Sequence, residues 1–348
     1  MRKLASIQRI DKIEPIEDAD NLELAFIKGW QVVVNKNRFK VNELVVYFEI
    51  DSFLPIRDEF EFLRKTSYRK NDLMGEGFKL KTIRLRGKLS QGLIGKVDEL
   101  SELKDIKLEV DKDVTDILGI KEWQVEERIT TSGTMLGKLP YFIPHTDEIR
   151  IQNEPKLLNE FKDKEYYIST KMDGSSHSIG VDENGIHVTG HNYEYKDDGS
   201  FAFYNIVKER RIDEKVLAYY KKYNFNTFVI QGELCAPGIQ KNRLKLVKPE
   251  WYVFTIIIDG KRVRLNRMID ICEELDLYTV PIEEVAYDLP SKYPTIESLL
   301  SRADGQYPNG GKKEGIVIRT FDPEYCPLIC APLSMKVINN NYLLKNDE

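Results

Sequence analysis

Lys171 closes an aromatic and β-branched run, Tyr166-Tyr167-Ile168-Ser169-Thr170, and is followed at once by Met172-Asp173-Gly174. The run predicts a strand that carries the amine to a sheet edge, and Gly174 lets the chain turn away. An amine taken out of water at such an edge can lose its proton near neutral pH and attack a phosphorus or a carbonyl. Lys-x-Asp-Gly has few fixed positions, and a surface lysine entering a turn has the same spelling. Four downstream stretches give it meaning: Gly232-Glu233-Leu234, Trp251-Tyr252-Val253-Phe254, Lys313-Glu314-Gly315-Ile316-Val317-Ile318-Arg319 and Ser334-Met335-Lys336-Val337. These stretches add two acids, an aromatic face and a second lysine, all on predicted strands. Attack by an amine on a phosphorus is served by these residue types. Cations and a metal neutralise crowded phosphate oxygens, carboxylates hold the metal, and an aromatic ring offers a stacking face. Singly, each residue has a plainer reading: Glu233 and Glu314 as strand-end acids, Phe254 as core, Arg319 as a solvated cation.

In this order and spacing the five stretches resemble the nucleotidyltransferase motifs of the covalent-nucleotide enzymes, the ATP-dependent ligases and mRNA capping enzymes. The resemblance runs from about residue 141 to the end. It implies that Lys171 carries the nucleotide as lysyl-AMP and that Lys336 binds the α-phosphate, both catalytic. It assigns ATP binding to Lys171, Asp173, Gly174, Glu233, Phe254 and Lys336. It assigns the divalent cation, Mn²⁺ or Mg²⁺, to Glu314, Asp173 and Glu233. A neighbouring ammonium such as Lys336 is expected to depress the pKa of Lys171.

Lys336 stands twelve residues before Glu348. DNA ligases and capping enzymes carry an OB domain after the last of these motifs, whereas here a β-rich segment precedes them. That order resembles the nick-sealing RNA ligases of the Deinococcus and Naegleria type, the fifth RNA ligase family. Ile143-Pro144-His145-Thr146-Asp147-Glu148-Ile149-Arg150-Ile151-Gln152-Asn153 is similar to that group's lead-in, and Ser334-Met335-Lys336-Val337-Ile338-Asn339 to its closing motif. Asp147–Arg150 is a candidate for holding the leaving pyrophosphate. There are departures. Ser334 stands where many ligases have a lysine, Gly190-His191-Asn192 replaces a Ser-Arg-Asn-like strand end, and Thr255 comes after Phe254 where an aspartate is common. The resemblance implies an ATP-dependent RNA ligase that adenylates a 5′-phosphate and joins it to an RNA 3′-OH, at nicks in duplexes, in RNA repair. The alternatives are a GTP-dependent capping guanylyltransferase, a DNA ligase, and an RNA-binding protein whose nucleotidyltransferase fold is inactive.

The elements needed to position these residues are also legible. Upstream, Asn21–Ile27, Trp30–Val34, Leu44–Ile50, Lys79–Arg86 and Gly92–Val97 predict five short strands, which suggests an OB-type β-barrel. Ala19-Asp20-Asn21-Leu22-Glu23-Leu24-Ala25 and Leu85-Arg86-Gly87-Lys88-Leu89-Ser90-Gln91-Gly92 resemble tRNA-binding OB modules, and the basic residues of 79–86 point outward. Residues 54–71 read as a loop or short helix and Asp113–Leu118 as a helix. Domains are expected at 1–128 (OB, RNA-binding), 129–140 (linker) and 141–348 (nucleotidyltransferase). Beyond Lys171, helices are predicted over Ala202–Tyr223 and Leu265–Leu275 among more numerous strands. The expected class is therefore α+β, the OB-type barrel followed by an antiparallel-sheet, ATP-grasp-like ligase domain.

The chain has 348 residues, 41% hydrophobic and 31% charged, with a net charge of −5. That is an ordinary globular composition with room for two cores, and any nucleic-acid surface must be a local basic one. No stretch is apolar enough for a membrane span or a signal peptide, and four cysteines fit a reducing compartment, so a soluble intracellular protein is expected. Cys326 and Cys330 lack a second pair, and His145, His177, His187 and His191 form no metal-binding spacing. Nothing in the chain signals an obligate protein partner.

Overall fold

The computed structural model describes residues 2–124 and 133–344. The chain divides into two compact units, Met1–Arg128 and Ile129–Tyr342.

In the first unit, Leu44–Phe48 lies between Ala5–Arg9 and Leu93–Lys96, antiparallel to both. Val45, Val46, Tyr47 and Phe48 are all fully buried. Strand periodicity explains why. Val46 and Phe48 enter one cluster with Ile7, Leu54, Phe78 and Leu118, while Val45 and Tyr47 enter another with Ile27, Trp30 and Ile94. A strand buried on both faces has to be an unbroken apolar run, which is how it reads in the sequence. Two tight hairpins follow from left-handed dipeptides. Lys28–Gly29 (φ 54° and 76°) joins Leu22–Ile27 to Trp30–Asn35, and Arg86–Gly87 (φ 47° and 77°) joins Thr82–Leu85 to Lys88–Gln91. Positive φ at both central residues is the two-residue turn that matches strand twist. The second hairpin docks through Gln31 Nε2, which donates to the Leu89 carbonyl (3.2 Å), and through the Val33 N–H to Ser90 Oγ (3.1 Å). Lys81, Arg84, Arg86 and Lys88 on it are exposed.

The described residues of this unit hold twelve short strands rather than five. The 79–86 run is two of them, Gly75–Lys79 and Thr82–Leu85, which pair in different sheets. Residues 54–71 contain a short 3-10 helix, Asp58–Leu63, a single helical turn, Arg64–Ser67, and the strand Tyr68–Asn71. Asp113–Leu118 is a turn, not a helix. The Val114 N–H is committed to the Ala5 carbonyl (3.0 Å), and the Asp113 carboxylate accepts from the Thr115 N–H (2.9 Å), a local bond that competes with helix.

The second unit is built on two antiparallel sheets. The four-stranded one runs Ile282–Tyr287, Glu165–Lys171, Gly315–Thr320, Ser334–Ile338. Its apolar positions alternate. Tyr166, Ile168, Ile316, Ile318, Met335 and Val337 pack with Leu157, Phe161, Leu289 and Leu299 of the covering helices and turns. The opposite parity carries Lys171, Val317, Arg319 and Lys336, all of which line a cavity. The other sheet has eight strands, antiparallel except for one short parallel pairing, with Ser175–Asp182, Phe228–Cys235 and Glu250–Ile258 as neighbours. Met172-Asp173-Gly174 is the crossing from one sheet to the other.

Two helices, Ala202–Glu209 and Ile212–Tyr223, replace the single predicted one. Arg211 is left-handed (φ 53°), and the break lets Phe203 and Val207 on one side and Ile212, Val216 and Tyr219 on the other enter the same core. Leu265–Leu275 is helical as expected. Within the predicted linker, Met135–Lys138 is a strand paired with Tyr193–Tyr195, so that part belongs to the eight-stranded sheet. Residues 129–132 of the linker lie outside the described residues. No helix among the described residues is long and apolar enough to cross a membrane.

A β-bulge interrupts the large sheet. Gln231 faces Thr255 and Gly232 faces Val253, so Phe254 is the extra residue. Trp251, Val253 and Ile256 stay in the core while Phe254 reaches the cavity. A Cβ at Gly232 would stand 2.6 Å from Trp251 Nε1 and 2.7 Å from the Tyr252 carbonyl oxygen. Gly232→Ala is therefore expected to lower stability by about 1–3 kcal/mol through overpacking. Gly137→Ala, which meets nothing within 4 Å, should stay within about 0.5 kcal/mol of the parent. Urea midpoints of the two variants check this.

Candidate active site

Strand parity and the sheet crossing bring Lys171, Glu233, Phe254 and Lys336 to one cavity, with Thr146, Asp147, Glu148, His191 and Arg319 also on its wall. Glu314 sits beside it. The Lys171 Nζ donates to Glu314 Oε2 at 2.8 Å, and the two side chains are 24% and 17% exposed. Glu314 is held there because Lys171 is opposite Gly315 in the sheet. Gly315 must be glycine, since a Cβ would stand 2.1 Å from the Val337 carbonyl oxygen.

Two connections that sequence reasoning missed lock this pair. Tyr307 donates its hydroxyl to the Lys171 carbonyl (2.7 Å) and accepts from the Glu314 N–H (3.2 Å). Glu283 accepts from Thr170 Oγ1 (2.7 Å), Lys313 Nζ (2.9 and 3.0 Å) and Arg302 Nη1 (2.7 Å). It thus ties the residue before the lysine to the residue before the acid. Neither is marked by any motif, because both lie in segments with no recognisable pattern.

The electrostatics reverse one expectation. Burial pushes the Lys171 amine down, but the Glu314 carboxylate, followed by Glu233 and Asp173, outweighs it and raises the pKa above the ordinary lysine value. Lys336 is the depressed one, through burial first and then the like charge of Lys171. The expected depression of Lys171 by Lys336 fails because Glu314 is bonded directly to Lys171. Burial pushes Glu233 up to about 7, against the pull of Lys171 and with Glu314 adding repulsion.

Asp173 is buried at 3% exposure and spoken for. Arg243 Nη1 donates to its Oδ2 (2.7 Å), the Tyr342 hydroxyl to its Oδ1 (3.0 Å), and the guanidinium lies 4.2 Å from the Tyr342 ring centre. Asp173 does not line the cavity, and both its oxygens are engaged, so it does not suit direct metal ligation. Gly174 is where the crossing backbone presses on the large sheet; a Cβ there would stand 2.4 Å from the Leu234 carbonyl oxygen. Glu314 and Glu233 remain as oxygen donors that fit a hard divalent cation.

Arg319, readable as a solvated cation, is 4% exposed. Its Nε and Nη2 donate to Glu148 Oε1 (3.0 and 2.6 Å), its Nη1 donates to the Phe254 carbonyl, and its guanidinium lies 5.5 Å from the Phe254 ring centre. The pair fixes the Phe254 ring at the cavity. Arg150 is buried and bonded to Gln152 (2.6 Å), and it does not line the cavity, whereas Asp147 is exposed on its wall.

A lysine and acids gathered where two antiparallel sheets meet, with an aromatic wall and a second lysine, is the equipment of a nucleotidyltransferase. An RNA ligase family model matches residues 164–337 and an OB-fold domain model residues 4–97. Among solved structures the chain is similar to the Naegleria gruberi RNA ligase. The complex of that enzyme with PPi is 31% identical, over 100% of this chain and 99% of that one, with a TM-score of 0.81. A lysine-to-alanine variant with ATP and Mn, and a glutamate-to-alanine variant with AMP and Mn, are each 32% identical over 99% of both chains, with a TM-score of 0.83. No curated protein matches by sequence. The chain belongs to the RNA ligase family, with an N-terminal OB-fold domain ahead of the ligase domain.

The Glu233 shift gives a signed prediction for the protein without nucleotide or metal. Its folded pKa, about 7, lies above the ordinary 4.5, so the folded state binds the extra proton between these values. Its contribution is fully present below the unfolded pKa and is lost as pH rises through 7. Glu233→Gln should remove a decline on the order of 1 kcal/mol between about pH 5 and about pH 7.5, measured from urea midpoints.

Proposed function

We propose that this RNA ligase uses ATP to load AMP on Lys171, passes it to an RNA 5′-phosphate, and joins that end to an RNA 3′-OH at nicks in duplexes, as in RNA repair. The observation that carries the reading is the Lys171–Glu314 pair at 2.8 Å, at a cavity shared with Glu233, Phe254 and Lys336. The ATP and Mn bound by the Naegleria enzyme support the choice of nucleotide and ion.

Phe254, backed by Arg319, offers a face for the adenine. Lys336 faces the α-phosphate, where an anion restores the charge that burial and Lys171 disfavour. Once the Lys171 ammonium has given its proton to solvent, its Nζ lone pair forms the N–P bond, the α–β bridging P–O bond breaks, and pyrophosphate leaves with that electron pair. Asp147, on the cavity wall, belongs to the strip proposed for the departing pyrophosphate; Arg150 contributes to that strip through its backbone beside Lys336. A 5′-phosphate oxygen then displaces the lysine to give the 5′–5′ anhydride, and the 3′-hydroxyl attacks that phosphate with release of AMP. A divalent cation held by Glu314, with Glu233, would neutralise phosphate charge and compete with the Lys171 ammonium for the Glu314 carboxylate. Asp173 acts from behind, holding the crossing through Arg243 and Tyr342. The four cysteines are free, which agrees with an intracellular setting.

Incubation with ATP and Mn²⁺ should add the mass of one adenylyl group to the intact protein. Lys171→Ala should add none, and Lys336→Ala should slow the step by about 10²–10³-fold. Labelling by GTP instead of ATP would point to capping chemistry, and no labelling by either would leave only RNA binding.

The exposed basic hairpin of the OB unit supports a duplex-contacting role. Replacing Arg84, Arg86 and Lys88 by alanine together should weaken binding to nicked duplex RNA and reduce the salt slope by about 0.9 per lost phosphate contact. Lysine adenylation should be unchanged. An unaltered salt slope would move the RNA contact elsewhere.

A further inference from the structure

His145, Asp147 and His191 come from two separate stretches, the turn ahead of the lysine strand and the end of Gly185–Thr189, and no sequence spacing joins them. In the fold, one donor atom from each lies within 4.8 Å of the other two. His191 Nε2 is 3.5 Å from Asp147 Oδ2, and the two imidazole rings stand 5.9 Å apart at 62°. The hydroxyls of Thr146 and Ser176, 2.7 Å apart, pin the first stretch to the neighbouring strand. Asp147 and His191 also line the cavity that holds Lys171.

We propose that these three side chains bind a first-row transition-metal dication at the cavity wall, in addition to the carboxylate donors Glu314 and Glu233. Two imidazoles and one carboxylate are the donor set such ions take, and imidazole favours Zn²⁺, Ni²⁺ or Co²⁺ over Mg²⁺. Metal–ligand bonds of about 2.0–2.2 Å place neighbouring donors roughly 3.3 Å apart, and the Asp147–His191 pair is already near that separation. All three side chains are exposed, so His145 can close the remaining gap by rotation about its side-chain bonds. The Asp147 carboxylate repels a bare anion, so the cluster suits a cation, and pyrophosphate at this strip would be met through that ion. Three protein ligands leave positions for water or for an anionic oxygen of a molecule in the cavity. The site stands whether or not Lys171 is the nucleophile.

The test uses the full-length, metal-stripped protein in a Glu314→Gln background, which sets the acid site aside. Titration with Zn²⁺ by calorimetry should show one ion per chain that excess Mg²⁺ does not displace. Co²⁺ should give visible absorption bands of imidazole ligation. His145→Ala, His191→Ala and the shape-preserving Asp147→Asn should each weaken binding roughly tenfold or more, a scale that even the outer partners of metal ligands reach. Because the three groups are exposed, melting temperatures without metal should match the parent. Absence of bound Zn²⁺, or unchanged affinity in the His145→Ala/His191→Ala double variant, would overturn the proposal.

Discussion

The ammonium–carboxylate contact between Lys171 and Glu314 is the constraint around which the second unit is arranged. Neither charge is fully solvated, so each depends on the other. Their separation is set by sheet register, with Lys171 opposite Gly315, and by Tyr307 and Glu283, which bridge the same two chain segments from either side. The resting lysine is consequently protonated and weakly nucleophilic. The arrangement stores the nucleophile in a paired state beside the cavity, where a substrate with its own charges can rearrange the pairing.

Two further buried pairs flank this contact and work as fasteners. Asp173 with Arg243 and Tyr342 secures the crossing between sheets, and Glu148 with Arg319 secures the carbonyl and ring of Phe254. Buried ion pairs contribute little net stability against an apolar core, because desolvation offsets their attraction. Their value here is positional. Each holds a backbone turn or bulge that hydrophobic packing alone would not orient, and each stands next to a group with a proposed chemical role.

Much of this was legible in the sequence, and the reason is periodicity. The apolar alternation of the lysine strand and of Ser334–Ile338 puts Lys171 and Lys336 on the same face of one sheet, and the motif order locates their partner acid. Other features had no local signature. The Phe254 bulge is a mismatch in register between two strands and is invisible in either one. The partners of Asp173 come from 70 and 169 residues away. The helix predicted over Ala202–Tyr223 is divided by a left-handed arginine: on one straight helix Phe203 and Val207 would lie on the far side from Ile212, Val216 and Tyr219, and the break brings both sets into the same core. The Asp113–Leu118 helix failed for another reason, since the Val114 N–H goes to the first strand and the Thr115 N–H to the Asp113 side chain. In each case tertiary partners overrode a local preference.

The two lysines show the same limit in electrostatic form. Repulsion between Lys171 and Lys336 is mutual, so it favours loss of a proton from the pair without saying which lysine gives it up. The carboxylates decide. Glu314 sits on Lys171, so Lys171 keeps its proton and Lys336 bears the depression. An anion bound at Lys336 would reverse the balance there and strengthen its positive charge. Were the Glu314 charge then engaged elsewhere, the strengthened Lys336 would act on a Lys171 that has lost its closest counterion, and the depression would pass to the nucleophile. The residue types specify that two cations and several acids share a site. The sign of each shift depends on burial and on which acid touches which lysine, and that contact changes with what the cavity holds.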